Sequence, residues 1–235
     1  MYSRRQRVFG KPSAVGRCRC IATVFCFLLL GGGAGCSSVV SNPQEREKNL
    51  HLFLNQTERL VLYDPSPLQL DDQLKVLGKE SIGEPVRRQF HPNGPTRGLI
   101  EQFISAVPQL ANASTRVIDP EQWASINQSP DTPVLFFHVT WKMIYQRLPP
   151  QLHRQRLQSG VIAKVMPLGQ VLSGKGTIAV RTASWEGKCL FDAFNGEYFH
   201  VSEWLANGAK KLNQAIESTQ LSCSRELANE FAGEM

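Results

Sequence analysis

A segment of alternating side chains, Pro133 to Tyr145, limits the possible folds more than any other part of the chain. From residue 135 onward every odd-numbered position is apolar, whereas the even-numbered positions mix apolar and polar side chains. Because successive side chains of a strand point to opposite faces of a sheet, this pattern predicts one long strand with one face on a core. The apolar series is Leu135, Phe137, Val139, Trp141, Met143 and Tyr145.

Shorter apolar segments predict the rest of a sheet. Most of them follow one another along the chain with short connections, which favours an antiparallel meander. The predicted strands are residues 59–63, 115–118, 133–145, 159–168, 177–185 and 189–191, with turns at 146–158, 169–176 and 195–196.

Apolar residues at helical spacing predict helices before, between and after these strands. The first helix is expected at residues 42–54, the second from Thr96 to Pro108, and the last from Ser202 onward, while Asp119 opens a short helix that carries Trp123. The last helix has an apolar stripe made of Leu205, Leu212, Ile216, Thr219, Cys223, Leu227 and Phe231. The predicted fold is therefore α+β (mixed α/β): an antiparallel meander packed by N-terminal, middle and C-terminal helices in two layers.

The first 35 residues have the pattern of an export signal. Six Lys and Arg side chains precede an apolar run from Ile21 to Leu30, and small residues 31–35 follow. The run is too short to span a bilayer, which needs roughly twenty apolar residues. An uncleaved short anchor or a buried helix is the alternative. The net charge of +6 also belongs to this segment, because the remaining residues carry 20 basic and 20 acidic side chains. The sequence therefore gives no support for an electrostatic nucleic-acid surface.

The end of this segment, Leu30-Gly-Gly-Gly-Ala-Gly-Cys36, resembles the lipobox of bacterial lipoproteins. The resemblance implies that Cys36 is lipidated and becomes the first residue of the mature protein. Ser37, in place of Asp, implies the outer membrane. The expected organisation is a signal peptide at 1–35, a lipidated tether at 36–41 and a single periplasmic domain at 42–235. Residues 33–35 would also suit an ordinary signal peptidase, which would leave a soluble protein.

Only two cysteines, Cys189 and Cys223, lie beyond the lipidation site. An even pair in an oxidising compartment predicts a disulfide between the last helix and the end of the sheet, although two unpaired buried thiols are the alternative. The stretch from Trp185 through Leu205–Lys210 to Cys223 also resembles the C-terminal part of a group of uncharacterised bacterial lipoproteins. That resemblance implies the same disulfide and no activity.

The sequence motifs that would indicate catalysis, metal binding or nucleotide binding lack residues that their chemistry needs. Gly169–Gly176 nearly spells a phosphate-binding loop, but Gly176 stands where the motif needs Ser or Thr, and the residues that follow are β-type. The five histidines form no ligand pair, so His138, on the mixed face of the strand, is expected to be a satisfied histidine rather than a ligand. Asp71 and Asp72 are expected in a solvated loop. We therefore expect no enzyme activity, no catalytic residues, no metal and no cofactor.

The second face of the long strand is the most suggestive surface. Val134, Phe136 and Ile144 lie on it, and if uncovered they would form an apolar patch of the kind that marks a partner surface. The favoured alternative is that a helix covers them.

These observations favour a non-enzymatic accessory or assembly subunit of the cell envelope. It would be held to the membrane by the lipid at Cys36 and would bind an envelope protein, with no nucleic acid or nucleotide involved. A binding module for a small apolar or lipid ligand is the second hypothesis, and a hydrolase with an unrecognised site is the third.

Overall fold

The computed structural model describes residues 43–70, 83–111, 114–146, 154–174 and 183–235, with side chains from Glu47 onward. Helices and strands are interspersed along the chain. The helices are α1 (Pro43–Leu54), α2 (Glu84–Gln89), α3 (Asn93–Ala106), α4 (Pro108–Ala111), α5 (Leu168–Leu172) and α6 (Val201–Gly233), with 3-10 helices at Pro120–Ser125 and Ala193–Gly196. The strands are β1 (Arg59–Pro65), β2 (Gln69–Leu70), β3 (Thr115–Ile118), β4 (Pro133–Tyr145), β5 (Arg154–Pro167), β6 (Trp185–Asp192) and β7 (Phe199–His200).

The strand predicted from the alternating segment is β4, and it has the predicted bounds. It pairs antiparallel with β5 along its whole length, from Pro133 opposite Pro167 to Tyr145 opposite Gln155. β5 in turn pairs antiparallel with β6. The predicted meander is thus confirmed for these three strands.

The prediction of a wholly antiparallel sheet is wrong for the earlier strands. The strand order is β3-β1-β4-β5-β6, and β1 runs parallel to both β3 and β4. β2 also pairs parallel with the far half of β4. Parallel neighbours need a crossover, and helices α2, α3 and α4 lie between β1 and β3 in the chain. The fold is therefore mixed α/β, and the described residues form a mixed sheet of seven strands.

The first face of the sheet carries the main core. The odd-numbered side chains of β4 from Leu135 to Met143 lie there, and α3 and α6 pack beside each other against them. Phe103 of α3 makes edge contacts with Phe137 of β4 and Phe231 of α6, at centroid distances of 5.3 and 5.8 Å. The predicted stripe of α6 faces this core: Leu212, Thr219, Cys223, Leu227 and Phe231 are buried. No helix in the described ranges is long and apolar enough to cross a membrane.

Two helix starts differ from the prediction. α3 begins three residues before Thr96, whose side chain is buried instead. α6 begins after His200 rather than Ser202, since the His200 side chain accepts the backbone N–H of Glu203 and the Glu203 carboxylate accepts the His200 N–H at 2.8 Å. A histidine can supply the capping acceptor that sequence reading assigns to Ser or Thr.

Loop positions also differ from the sequence expectation. β5 starts at Arg154, inside the predicted turn 146–158, and α5 occupies the first part of the predicted turn 169–176. Residues 177–182 of the predicted strand 177–185 lie outside the described residues, and β6 begins at Trp185. The predicted turn at Asn195 and Gly196 is confirmed, with φ of 55° and 78°.

A kink divides α6 near its start. Asn207, Gly208 and Ala209 have φ of 52°, 66° and 59°, in the left-handed region. Only glycine adopts this region without a steric cost, so Ala209 stores strain of about 1–2 kcal/mol. The kink separates a first short turn of helix from the long segment that packs on the sheet.

We expect the free energy of unfolding of Ala209→Gly to equal that of the wild type or to exceed it by up to about 1 kcal/mol. The reason is that the released backbone strain exceeds the loss of one small buried methyl group. The matched variant is Gly208→Ala, whose new Cβ would meet nothing within 4 Å. It should lose about 1 kcal/mol from backbone strain alone. Urea unfolding of both variants measures the difference, and a larger loss in Ala209→Gly than in Gly208→Ala would contradict the left-handed kink.

A disulfide joins the sheet to the last helix, as predicted. Cys189 on β6 is bonded to Cys223 on α6, with 5.5 Å between their Cα atoms and 34 residues of separation. Both side chains lie in the main core. The bond therefore fixes the long part of α6 to the edge strand.

Removing this bond should lower the free energy of unfolding by about 3–4 kcal/mol, through loss of loop closure in the unfolded chain. We expect the double variant Cys189→Ala/Cys223→Ala to show that loss in urea unfolding. Reductant should lower the urea midpoint of the wild type but leave the double variant unchanged. Equal midpoints for the wild type with and without reductant would contradict the disulfide.

Candidate functional site

The second face of the sheet is divided into a covered half and an open half. In the covered half, Val134 and Phe136 of β4 are buried with the neighbouring apolar side chains of β1 and β5. Trp123 of the 3-10 helix packs edge-on to Phe136 at 6.2 Å, and α5 adds Leu168 and Val171. The favoured expectation, that helical segments cover Val134 and Phe136, is confirmed.

Gly169 serves this covering rather than phosphate binding. Its N–H donates to the carbonyl of Pro130 at 2.7 Å, and a Cβ at this position would lie 2.9 Å from Pro130 Cβ. Only a residue without a side chain permits this approach. The nearly complete phosphate-loop motif therefore has a packing role at its first glycine, and its Lys175 and Gly176 lie outside the described residues.

The register of four strands determines which side chains form the open half. Asp64 of β1, His138 of β4, Ile162 of β5 and Lys188 of β6 lie in one row across the sheet. The next row is Thr140, Gly160 and Leu190, followed by Lys142, Gln158 and Asp192. No described helix covers these rows. Ile144, the third apolar residue predicted on this face, lies at the end of the open half and is half-buried.

Gly160 keeps the centre of the open half flat. A Cβ on Gly160 would lie 2.9 Å from Thr140 Oγ1 and 3.9 Å from Leu190 Cδ1. The Thr140 hydroxyl donates to the Gly160 carbonyl at 3.1 Å. Leu190 itself is 71% exposed, the most exposed large apolar side chain of the described residues. Leu190 is thus a large apolar side chain that projects from a flat, mostly polar part of the sheet.

Ion-paired side chains precede and follow Leu190 along β6. Glu186 lies 3.5 Å from the buried Lys164 ammonium and 2.6 Å from the Lys188 ammonium. On the far side, Asp192 accepts from Gln158 at 3.1 Å and lies 3.6 Å from Arg156. Burial opposes ionisation of Glu186, but the hydrogen bond from Lys188 and the charge of Lys164 outweigh it and hold the pKa of Glu186 below its usual value.

The expectation that His138 is a satisfied histidine is wrong for its buried Nδ1, which has no hydrogen-bond partner in the described residues. Its Nδ1 lies 3.5 Å from Asp64 Oδ2, too far for a strong hydrogen bond. Within the described ranges, no three His, Cys, Asp or Glu side chains are close enough together to hold a metal ion. Asp71, Asp72, His153 and the proposed lipidation site Cys36 lie outside the described residues.

Three of the grooves in the described surface are open to solvent. One of about 420 Å³ lies beside the start of α6 at Arg154 and Glu203, and one of about 490 Å³ lies between β6 and the end of α6 at Glu186 and Glu230. The third, of about 510 Å³, lies at the α6 kink. None of these three is the enclosed apolar cavity that a small lipid ligand would need.

Sequence reasoning missed Leu190, although a signal was present. In the segment from Glu186 to Asp192, the even-numbered positions are Glu186, Lys188, Leu190 and Asp192. A lone leucine among charged residues on the outward side of a strand indicates an exposed apolar side chain.

No protein-family model matches the sequence, and no curated protein matches it. Among solved structures, the chain is similar to one described as a neuraminyllactose-binding hemagglutinin homolog from Helicobacter pylori. The two share 11% identity over 76% of this chain and 89% of that chain, with a TM-score of 0.37. At this TM-score the likeness carries no argument about function.

The Lys164–Glu186 pair lies in the same row as Phe136, next to the open half, and gives a test of ion-pair burial there. Glu186→Gln should lower the free energy of unfolding by about 2 kcal/mol, because it leaves the Lys164 ammonium buried without a carboxylate. Lys164→Met removes the buried charge, so its free energy of unfolding should stay within about 1 kcal/mol of the wild-type value. A Lys164→Met loss as large as that of Glu186→Gln would contradict the burial of an ion pair here.

The same pair predicts a dependence on pH. Since the folded-state pKa of Glu186 is lowered, its contribution is fully present above the unfolded-state value of 4.5 and is lost as the pH falls through the folded-state value. The stability difference between the wild type and Glu186→Gln should therefore shrink below about pH 4.5.

Proposed function

We propose that this chain is a lipid-anchored envelope protein that acts as a non-enzymatic accessory or assembly subunit. In this proposal Cys36 carries the lipid, the domain faces the periplasm from the outer membrane, and the open half of the second sheet face binds an envelope protein. The observation that carries the partner-binding role is the exposed Leu190, with the ion-paired Lys188 and Asp192 on either side of it along β6.

The compartment is supported by two independent features. The leader has the order of basic, apolar and small residues that directs export, and it ends at a cysteine in a lipobox-like sequence. Cys189 and Cys223 are bonded, and structural disulfides persist in oxidising compartments such as the periplasm.

The anchor would hold the domain close to the bilayer. Six residues, 37–42, separate Cys36 from α1, and they span at most about 20 Å. α1 is itself fastened to the sheet: the Arg59 guanidinium donates to the carbonyl of Phe53 at 3.2 Å and to that of Leu54. Phe53 is fully buried in the main core. The first helix therefore adds no flexible length to the tether.

Partner binding is supported by the anatomy of the open half. Protein interfaces combine an apolar anchor with a polar, hydrated rim. Leu190 supplies the anchor, Ile162 extends it, and Lys142, Lys188 and Asp192 supply the rim. In the described residues the carboxylates near this surface lie in ion pairs rather than converging on a cleft, which favours binding over catalysis.

The anchor is tested by mass spectrometry of the membrane-extracted protein. We expect a mature N-terminus at Cys36 carrying acyl chains. Cys36→Ala should keep its leader and lose the lipid mass, with Ser37→Ala as a matched control that is lipidated normally. An unlipidated wild type that begins at Met1 would contradict the anchor.

The partner surface is tested by site-specific photocrosslinking in cells. A benzophenone amino acid in place of Leu190 should give one discrete protein adduct, because the side chain lies within the proposed interface. The matched control is the same substitution at Leu221, which is 48% exposed on the outer side of α6. The same adducts from both positions, or none from position 190, would contradict the proposed surface.

A further inference from the structure

The outer edge of β6 is a feature that the proposed partner surface leaves unused. Within the described residues β6 is the last strand of the sheet, because the strand order ends β4-β5-β6. Its inner side pairs with β5 from Trp185 to Asp192. In an antiparallel ladder, every second residue of an edge strand points its N–H and C=O away from the sheet. β6 therefore presents a row of backbone donors and acceptors along its outer side.

The position of one hydrogen bond identifies the outward-facing residues. The Lys188 N–H donates to the Glu230 carboxylate of α6 at 3.3 Å, so it points away from β5. By alternation, the backbone groups of Glu186, Leu190 and Asp192 point to the same side as that of Lys188. On this side no described backbone group pairs with Leu190. Glu230 thus protects one N–H of the edge, and the protection ends before Leu190.

The side chains of the outward-facing residues make this edge complementary to itself. Leu190 is 71% exposed and lies between Lys188 and Asp192 along the same face. When a second β6 runs antiparallel about a two-fold axis at Leu190, position 190 faces position 190 and position 188 faces position 192. Each lysine then faces an aspartate. An axis at Lys188 would oppose two lysines, and an axis between positions 188 and 190 would oppose Glu186 and Asp192.

The ion pairs within one copy leave atoms available for these contacts. The Lys188 ammonium lies 2.6 Å from Glu186, but it has three N–H donors and its side chain is 67% exposed. Gln158 and Arg156 both approach Asp192 through Oδ1, at 3.1 and 3.6 Å. Among these contacts the Oδ2 atom of Asp192 is not used. The contacts between copies therefore add to the existing ion pairs rather than replace them.

We propose that two copies of this chain pair antiparallel through the outer edges of β6, centred on Leu190. The N–H and C=O of Leu190 exchange hydrogen bonds across the axis, and Lys188 of each copy faces Asp192 of the other. The two sheets become one continuous sheet, which pairs edge groups that a single copy leaves to water. The two Leu190 side chains then lie side by side on one face, so the pairing enlarges the apolar part of the open half. The pairing needs neither the lipid nor an envelope partner.

The first test exchanges charges across the axis. The full-length protein is kept in non-ionic detergent with micelles in excess over protein, and sedimentation velocity gives the dissociation constant of the dimer. We expect Lys188→Asp and Asp192→Lys each to raise that constant at least about tenfold, because like charges then face each other on both sides of the axis. Equal amounts of the two variants should form a mixed dimer, because each copy supplies the charge that the other needs. Lys210→Asp makes the same charge change at an exposed position of α6 and should leave the constant unchanged.

The second test removes a backbone donor instead of a charge. Leu190→Pro has no N–H to cross the axis, and proline is tolerated on an edge strand where the N–H points away from the sheet. We expect its dimer to have a dissociation constant at least about tenfold higher than that of Leu190→Ala, which loses the same side chain but keeps the N–H. Urea unfolding in the same detergent first establishes that each variant is folded.

Three results would overturn the proposal. They are a wild type that stays monomeric at about 100 μM, a mixture of the folded charge variants that pairs no better than either alone, and equal dissociation constants for Leu190→Pro and Leu190→Ala. These measurements involve this chain only. Failure of the pairing is therefore distinguishable from failure of the lipid anchor at Cys36 or of binding to an envelope protein.

Discussion

The pairing of β4 with β5 is the constraint on which the rest of the structure depends. Every residue of β4 has a partner on β5, so the two strands set the register of the whole sheet. With the register fixed, the alternation of β4 assigns its odd-numbered side chains to the main core and its even-numbered ones to the second face. A slip of one residue would bury Lys142 and His138 and expose Trp141, which is fully buried. The division of the second face into covered and open halves follows from this register.

The sequence predicts those features that a local pattern specifies. β4 and the stripe of α6 could be predicted because burial repeats at a fixed spacing, and the disulfide because only Cys189 and Cys223 remain beyond Cys36. The parallel pairing of β1 could not, since its partners lie more than 50 residues away and no local pattern encodes their direction. The kink of α6 also escaped prediction, because Ala209 is a good helix former that tertiary packing holds in a left-handed conformation.

The candidate site was only partly predictable. The second face of β4 was identified as the surface of interest, and Val134 and Phe136 proved to be covered. Leu190 became significant only when the register placed it beside Gly160, with ion pairs on either side. A sheet face of this kind has two physical states available to it: solvated, with its ion pairs lying in water, or covered by a partner that buries Leu190. The proposed function depends on the second.

The most direct measurement is maleimide labelling of single cysteines placed along the even-numbered positions of β4. Val134→Cys and Phe136→Cys in the purified protein should react slowly, Thr140→Cys at an intermediate rate, and Lys142→Cys fast. That gradient is expected because Trp123 and α5 cover one end of the face, whereas the other end is open. Uniformly slow labelling would mean that the whole face is covered. Fast labelling at Val134→Cys would mean that the register of β4 is wrong, and either result would remove the proposed partner surface.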